Sequence, residues 1–257
     1  MRDLRPRDAL QWLMANPPIP AATLVILRDS VEGPPELLMV ERAKAMAFAG
    51  GAMVFPGGRI DPGDHVFGTQ SDAAARVAAI RETIEEAGLA IGLRPPPSPT
   101  LVVTIRERLH AGEPFAAILA DAGLSLDLDS LVPFARWLPA HAHMRIFDTL
   151  FFLARAPDDA IATVDATENV RLTWTTAAAL LAEADAGRAT IIYPTRRNLE
   201  RLALFANYDA AVADALAHPV TTITPFVEER DGHAHLCIPE GLGYPVTGEA
   251  MTEALRG

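Results

Sequence analysis

The sequence predicts an α/β fold in which a mixed sheet is flanked by helices, with a helical insert and further helices toward the C-terminus. Strand-like runs precede and follow one helix-like segment at 72–87, an order that is typical of a mixed sheet covered by helices. Half of the 257 residues are apolar, and no long polar linker divides them into two groups. We therefore expect one elaborated domain over residues 1–257.

A hairpin and a glycine-rich loop are expected before the central helix. The runs 21–27 and 37–41 have the composition of strands, and a Gly-Pro-Pro turn signal lies between them. The apolar run 53–55 then leads into Pro-Gly-Gly, which ends at Gly58. Two consecutive glycines permit backbone conformations and close approaches that a side chain would forbid, so the main-chain carbonyl of Gly57 is a candidate metal ligand.

A helical insert and a second group of strands follow the central helix. The stretch 94–99 is rich in proline, and apolar residues recur at helical spacing through 100–126, so the insert is expected over about 94–130. The remaining predicted elements are strands at 131–138, 145–154 and 170–175, helices at 176–186 and 195–217, and a last strand at 222–229.

Three glutamates lie on one face of the central helix. Glu82, Glu85 and Glu86 are spaced i, i+3 and i+4, so their side chains fall within about 100° of arc. Grouping like charges costs a few tenths of a kcal/mol per exposed pair, and a divalent cation would reverse that cost. The alternative interpretation is an acidic, alanine-rich helix whose charged face is solvated.

The other side of the same helix is apolar and is expected to pack on the core. Gly88 follows as a C-cap, and only small alanines, at 75, 78 and 79, precede the glutamates on their side. The sequence therefore predicts an open path for a ligand along this helix. The apolar stripe consists of Val77, Ile80, Ile84 and Ala87.

The segment 57–89 resembles the signature of the Nudix hydrolase family. In that signature a glycine and an acid precede a helix with the pattern R-E-x-x-E-E-x-G and an apolar residue, and Gly58, Asp64 and 81–89 match these parts. Asp64 stands where the family usually has Glu, and 16 residues separate it from Arg81 instead of seven. The extra stretch, about 65–74, is expected to form a loop, because loop insertions cost little closure entropy.

The resemblance implies the α/β/α sandwich of that family and hydrolysis that depends on Mg²⁺ or Mn²⁺. The metal ligands would be Glu82, Glu85, Glu86 and the carbonyl of Gly57, and Arg81 would position carboxylates, those of Glu85 or Asp64. The base would be Glu82 or Glu168. Glu168 lies six residues before Trp174, as does an acid in a common family pattern, although a surface glutamate is the alternative.

A longer stretch resembles the branch of the family that includes the mammalian peroxisomal coenzyme A diphosphatases. Residues 145–149, Arg-Ile-Phe-Asp-Thr, are similar to its Arg-Phe-Asp-Thr segment apart from the inserted Ile146, and Pro-Thr-Arg-Arg at 194–197 is similar as well. This likeness implies coenzyme A or acyl-coenzyme A as substrate. ADP-ribose, a nucleotide sugar and an inactive nucleotide-binding module are the alternatives, and Asp64 favours the last.

Four arginines are candidate ligands for substrate phosphates. Arg196 and Arg197 open a predicted helix, where cations oppose the macrodipole and free N–H groups favour an anion. Arg42 ends the second strand just before the glycine loop, and Arg145 begins the family-like segment. Ordinary solvated surface charge is the alternative for each.

Composition excludes several other classes of partner. A net charge of −11 argues against nucleic acid, and no apolar run approaches the 18 residues of a membrane span. A single cysteine, Cys237, is expected in a buried strand of a cytoplasmic protein. The His-Ala-His segments at 141–143 and 233–235 lack a third zinc ligand. The expected partner is a small diphosphate, and a homodimer is left open.

Overall fold

A computed structural model describes residues 17–46, 49–139, 146–158, 160–164 and 169–254. Its strands are β1 (Ile19–Arg28), β2 (Glu36–Arg42), β3 (Met53–Val54), β4 (Gly57–Arg59), β5 (Leu93–Arg94), β6 (Ser125–Leu126), β7 (Val132–Trp137), β8 (Phe147–Arg155), β9 (Asn169–Thr176), β10 (Thr222–Ile223), β11 (Phe226–Arg230), β12 (His233–Cys237) and β13 (Gly248–Ala250). Its α-helices are α1 (Ala73–Ala87), α2 (Pro99–His110), α3 (Phe115–Ala122), α4 (Ala177–Asp185), α5 (Tyr193–Leu202), α6 (Tyr208–Ala217) and α7 (Met251–Ala254). Short 3-10 helices lie at Pro62–Phe67 and Leu128–Ser130.

The main sheet is mixed, as the sequence predicts. Its strands have the order β10-β7-β8-β1-β2-β3, with β4 beside β1 and β9 beside β2. β1 is parallel to β8 along its length, and the predicted hairpin pairs Leu27 of β1 with Leu37 of β2. β2 and β4 lie along the same edge of β1, and β4 pairs with its N-terminal part, where Thr23 lies opposite Gly57. Because β2 and β4 share this edge of β1, the glycine loop lies in the middle of the sheet.

Helices cover both faces of the main sheet. Because side chains alternate along a strand, Leu24 and Ile26 of β1 belong to one core cluster, and Val25 and Leu27 belong to the other. The first cluster contains residues of α1, α2 and α3, and the second contains residues of α4, α5 and α6. The arrangement is an α/β/α sandwich, which confirms the predicted fold class.

The central helix forms where its periodicity predicts it. α1 ends at Gly88, whose φ of 65° is left-handed and whose N–H donates to the carbonyl of Ile84 at 3.0 Å. The predicted apolar stripe is buried, but the alanines at 75, 78 and 79 are buried as well. This corrects the expectation of an open path along the helix. α1 packs against β1, β4 and the 3-10 helix at Pro62–Phe67, and small side chains permit that close packing.

The helical insert is also confirmed. α2 and α3 form it, and the side chain of Ser98 caps α2 by accepting from the N–H of Leu101 at 3.3 Å. β5 and β6 pair at its base, where Leu93 lies opposite Leu126. The stretch at 65–74, expected as a loop, instead begins inside a 3-10 helix.

Two C-terminal elements differ from the prediction. The helix expected at 195–217 is divided into α5 and α6, because the side chain of Asn207 accepts from the N–H of Ala210 at 2.9 Å and starts a new helix. The strand expected at 222–229 is divided into β10, which joins the main sheet, and β11, which forms a second sheet with β12 and β13. Pro225 lies between them and has no N–H to donate.

Two smaller expectations concern the rest of the chain. Cys237 is buried in β12, as predicted. Within the described ranges, no helix has both the length and the apolar character that crossing a membrane requires.

Candidate active site

A cavity of about 560 Å³ lies where the glycine loop, α1 and the main sheet meet. Its volume is in the range of small-molecule binding sites. Ionisable and apolar side chains both line it, so it can accept a ligand that has a charged part and an apolar part. The ionisable lining includes Arg42, Arg59, Glu82, Glu85, Glu86 and His110, and the apolar lining includes Met46, Val54, Phe55, Phe147, Phe151 and Ile192.

Arg81 joins the acidic side chains of this cavity. Its Nε and Nη2 each donate to a different oxygen of Asp64 at 3.1 Å. Its Nη1 donates to Glu82 at 2.9 Å and to Glu85 at 3.1 Å, and Nη2 also donates to the carbonyl of Arg59 at 3.0 Å. Burial alone would lower the pKa of this guanidinium, but the bond to Asp64 and the neighbouring negative charges raise it. Arg81 therefore stays charged and holds the acids in place.

Asp64 occupies the position where the family signature usually has Glu. Its side chain is 1% exposed and accepts both from Arg81 and from the N–H of Asp61, the latter at 2.8 Å. The 3-10 helix at Pro62–Phe67 brings the shorter acid close enough to meet Arg81 with both oxygens.

Glu82 has a strongly shifted pKa. The pKa of its carboxyl is raised to about 8, chiefly by burial, with the charges of Glu85 and Glu86 also raising it and Arg81 lowering it. A Cβ placed on Gly58 would lie 2.4 Å from the Glu82 carboxyl carbon. The glycine is therefore required for Glu82 to occupy this position.

Glu86 meets the glycine loop directly. Its Oε2 accepts from the N–H of Gly57 at 2.9 Å, and Nη1 of Arg42 lies 3.8 Å from its Oε1. The contact of Gly57 in the structure is thus made by its amide, whereas the sequence pointed to its carbonyl. A Cβ on Gly57 would lie 2.4 Å from the carbonyl oxygen of Ala22, so the close approach of β4 to β1 also requires glycine.

Arg196 and Arg197, expected as phosphate ligands, are not among the residues that line this cavity. Arg197 is 1% exposed and pairs with Glu200 at 2.7 Å and Glu249 at 3.0 Å. Arg196 pairs with Asp185 at 2.8 Å and lines a separate cavity of about 350 Å³. Pro194 and Thr195 of α5 line the cavity of about 560 Å³. Because successive residues of a helix point about 100° apart, the two arginines that follow them point elsewhere.

Two predicted site residues, Glu168 and Arg145, lie outside the described residues. The histidines at 141 and 143, which were not assigned to the site, lie outside them as well. The other histidine pair lies on β12, where both side chains are exposed or half-buried.

Arg59 and His110 are among the cavity-lining residues that sequence reasoning missed. Arg59 follows the glycine pair, and His110 ends α2 of the helical insert. The basic character of the last turn of α2 was readable from the sequence, but the packing of α2 beside α1 is a long-range contact that no local pattern predicts.

The donor set of α1 suits a hard cation in its chemistry, since carboxylate oxygens are the ligands that Mg²⁺ prefers. In the part of the chain that the structure describes, no three acidic, histidine or cysteine side chains are arranged as a closed cage for a metal ion. Arg81 instead bonds to Glu82 and Glu85.

Comparisons with known proteins identify relatives. A model of the NUDIX domain matches residues 17–194. A NUDIX hydrolase from Alicyclobacillus acidocaldarius is 29% identical with a TM-score of 0.68, covering 77% of this chain and 96% of its own. The NUDIX domain of Shewanella oneidensis NrtR, complexed with ADP ribose, is 12% identical with a TM-score of 0.42, over 77% and 90%. A C. elegans Ap4A hydrolase is 19% identical with a TM-score of 0.38, over 65% and 86%. No curated protein sequence matches the chain.

Proposed function

This chain belongs to the Nudix family and is a Nudix hydrolase, and from that premise we propose that it cleaves the diphosphate bridge of a nucleoside diphosphate linked to another moiety. The observation that carries the proposal is the convergence of Glu82, Glu85 and Glu86 with Arg81 on one cavity. A diphosphate is anionic and would be repelled by these three glutamates, so the reaction would depend on Mg²⁺ or Mn²⁺ to bind the diphosphate beside them.

The residues that would hold the cation are Glu82, Glu85, Glu86 and the carbonyl of Gly57. Burial makes a charge on Glu82 unfavourable in the protein alone, and a neighbouring cation would offset that cost. When bound, the ion would supply positive charge to the diphosphate oxygens and lower the pKa of a water molecule.

The remaining side chains orient groups and move a proton. Either Glu82 or Glu168 would take the proton of the attacking water. Arg81 would hold Glu82 and Glu85 in their orientations, as its hydrogen bonds suggest. Arg42, in the cavity lining near Glu86, is suited to contact a phosphate oxygen of the substrate.

We propose coenzyme A or acyl-coenzyme A as the substrate. The likeness of residues 145–149 to the coenzyme A branch supports this, and two members of that segment, Phe147 and Thr149, line the cavity. Asp148, between them, points to the other side of the strand and is bonded to Arg136 at 2.8 and 2.6 Å. The products would be 4′-phosphopantetheine and adenosine 3′,5′-bisphosphate.

Two other functions remain alternatives to this proposal. ADP-ribose or a nucleotide sugar would present the same diphosphate to the same side chains. An inactive nucleotide-binding module was favoured by Asp64, but Asp64 bonds to Arg81 through both oxygens, so its shorter side chain does not break the site.

A substrate panel tests the proposal. The protein would be incubated with coenzyme A, acyl-coenzyme A, ADP-ribose, NADH and nucleotide sugars in Mg²⁺ or Mn²⁺, and the products identified by mass. Release of 4′-phosphopantetheine and adenosine 3′,5′-bisphosphate from coenzyme A would support the full proposal, whereas preferred cleavage of ADP-ribose or a sugar nucleotide would replace its substrate. Nucleotide affinity in calorimetry without release of any product, with either ion, would contradict hydrolysis.

A further inference from the structure

The C-terminal end of α1 is bonded to the helical insert and to a distant loop. The last four carbonyl groups of an α-helix have no partner within the helix, yet each of these four in α1 accepts a hydrogen bond. The carbonyl of Ile84 accepts from Gly88 N–H at 3.0 Å, that of Glu85 from Arg106 Nε at 2.8 Å, that of Glu86 from Arg106 Nη2 at 3.1 Å, and that of Ala87 from Thr163 N–H at 2.9 Å.

Arg106 makes the two central bonds with one planar group. Its fork of donors matches two consecutive carbonyls, which a lysine ammonium cannot reproduce, and its positive charge is favourable at the negative end of the helix dipole. Its neighbour Ile105 is buried in the core that α1 also enters. α2 is therefore packed firmly enough to present Arg106 at a defined position.

The same guanidinium extends the contact to the loop. Its Nη1 donates to the hydroxyl of Thr163 at 2.8 Å. A Cβ on Gly88 would lie 2.7 Å from that hydroxyl and 3.3 Å from Arg106 Nη1. Gly88 thus ends the helix and also leaves room for the contact between Arg106 and Thr163.

The residues whose carbonyls Arg106 binds are two of the three glutamates of the candidate site. Glu85 and Glu86 line the cavity, and their backbone carbonyls are bonded by Arg106 of the insert. His110 lies one turn after Arg106 on α2 and lines the same cavity. A single anchor therefore sets both the last turn of α1 and the part of the insert that reaches the cavity.

We propose that Arg106 is a positioning residue that fixes the last turn of α1, and with it the carboxylates of Glu85 and Glu86. Arg106 acts through the backbone of the two glutamates, and its effect on turnover rests on the function proposed above.

The test compares two matched substitutions on α2. Arg106→Lys keeps the charge but loses the fork, and Arg108→Lys makes the same change two residues away, where the side chain pairs only within the insert, with Glu113 and Asp121. Thr163→Val removes the hydroxyl, and Thr163→Ser retains it. All four would be compared with the wild type in metal-free hydrogen exchange and in steady-state kinetics.

We expect Arg106→Lys to raise the exchange rate of amides at 84–89 by about tenfold or more, because two charge-assisted bonds are lost. We also expect kcat to fall by about tenfold with KM nearly unchanged, since small misplacement of catalytic groups slows chemistry. Thr163→Val should show a smaller change in the same direction, and Thr163→Ser and Arg108→Lys should match the wild type.

The inference would be overturned if the amides at 84–89 exchanged in Arg106→Lys at the same rate as in the wild type. It would also be overturned if Arg108→Lys raised the exchange rate equally, because the effect would then come from the stability of the insert. The exchange measurement needs neither metal nor substrate. If the wild type cleaves none of the panel, the proposed function fails, while the exchange result still decides whether Arg106 holds the helix end.

Discussion

Two buried arginines of this protein lie among carboxylates, and only one of them belongs to a candidate active site. Arg81 bonds to three acids at one side of a cavity, whereas Arg197 pairs with Glu200 and Glu249 and stacks over the ring of Tyr193 at 5.0 Å. In both clusters burial raises the pKa of a glutamate, to about 8 for Glu82 and to about 7 for Glu200.

The difference between the clusters is access and charge balance. Arg81 and two of the acids it bonds, Glu82 and Glu85, line a cavity of about 560 Å³, and a further glutamate, Glu86, lines it as well. Arg197 instead joins α5 to β13 through Glu249, and although Glu249 borders the cavity of about 350 Å³, neither Arg197 nor Glu200 lines it. An ion-pair cluster therefore indicates chemistry only where excess negative charge meets a space that a ligand can enter.

Removing one charge from each cluster should give the largest contrast. We expect Glu86→Gln to lower hydrolysis by about a thousandfold, because the proposed cation would lose one of its ligands where charge develops in the reaction, while the fold is retained. Glu200→Gln should stay within about twofold of the wild type. Turnover rates with Mg²⁺ measure both, and undiminished turnover by Glu86→Gln would refute the site.

Replacing the two arginines by lysine sharpens the same contrast. Lysine cannot bond to Asp64, Glu82 and Glu85 at once, so Arg81→Lys should lower kcat by about a hundredfold, as loss of groups that orient metal ligands does. Arg197→Lys should lower the melting temperature without a comparable loss of kcat. The pair of roles would be wrong if Arg197→Lys lost activity while Arg81→Lys kept it.

The pH dependence of stability separates the clusters in metal-free protein. The pKa values of Glu82 and Glu200 are raised by folding, so the folded state binds more protons than the unfolded state above pH 4.5. The contributions of these two carboxyls to the free energy of unfolding are fully present below pH 4.5. They are lost as pH rises through about 7 for Glu200 and about 8 for Glu82.

The free energy of unfolding should therefore fall as pH rises, and we expect Glu82→Gln and Glu200→Gln each to remove a part of that fall, on the order of a few kcal/mol or less. Denaturant unfolding between pH 5 and 9 measures this part as the difference between each variant and the wild type. Mn²⁺ should restore stability at high pH only in proteins that keep Glu82. An equal effect of Mn²⁺ on Glu82→Gln would place the ion elsewhere.

The smallest expected effect comes from a substitution in the glycine loop that lies against Glu82. Gly58→Ala would place a Cβ 2.4 Å from the carboxyl carbon of Glu82, and because that carboxylate can move aside, we expect kcat to fall by about tenfold with little loss of stability. Gly63→Ala is the control, since beyond its immediate chain neighbours no described residue has an atom within 4 Å of its added Cβ. Equal activities of the two variants would show that Glu82 tolerates displacement.

Local pattern was sufficient for the parts of the fold that depend on neighbouring residues. The hairpin of β1 and β2, the bounds of α1 and the common face of Glu82, Glu85 and Glu86 all follow from turn residues and from the 3.6-residue period. The break between α5 and α6 did not, because Asn207 can either continue a helix or start one, and only the packing around it decides.

The order of residues is enough to show that an acid-rich helix follows a double glycine, and that this pair resembles the Nudix signature. Three-dimensional packing establishes that Arg42 lies near Glu86 while Arg197 turns away, that Arg106 from the insert bonds to the end of α1, and that burial raises the pKa of Glu82. Desolvation and contacts between residues far apart in the chain depend on how the layers pack, and no window of neighbouring residues contains that information.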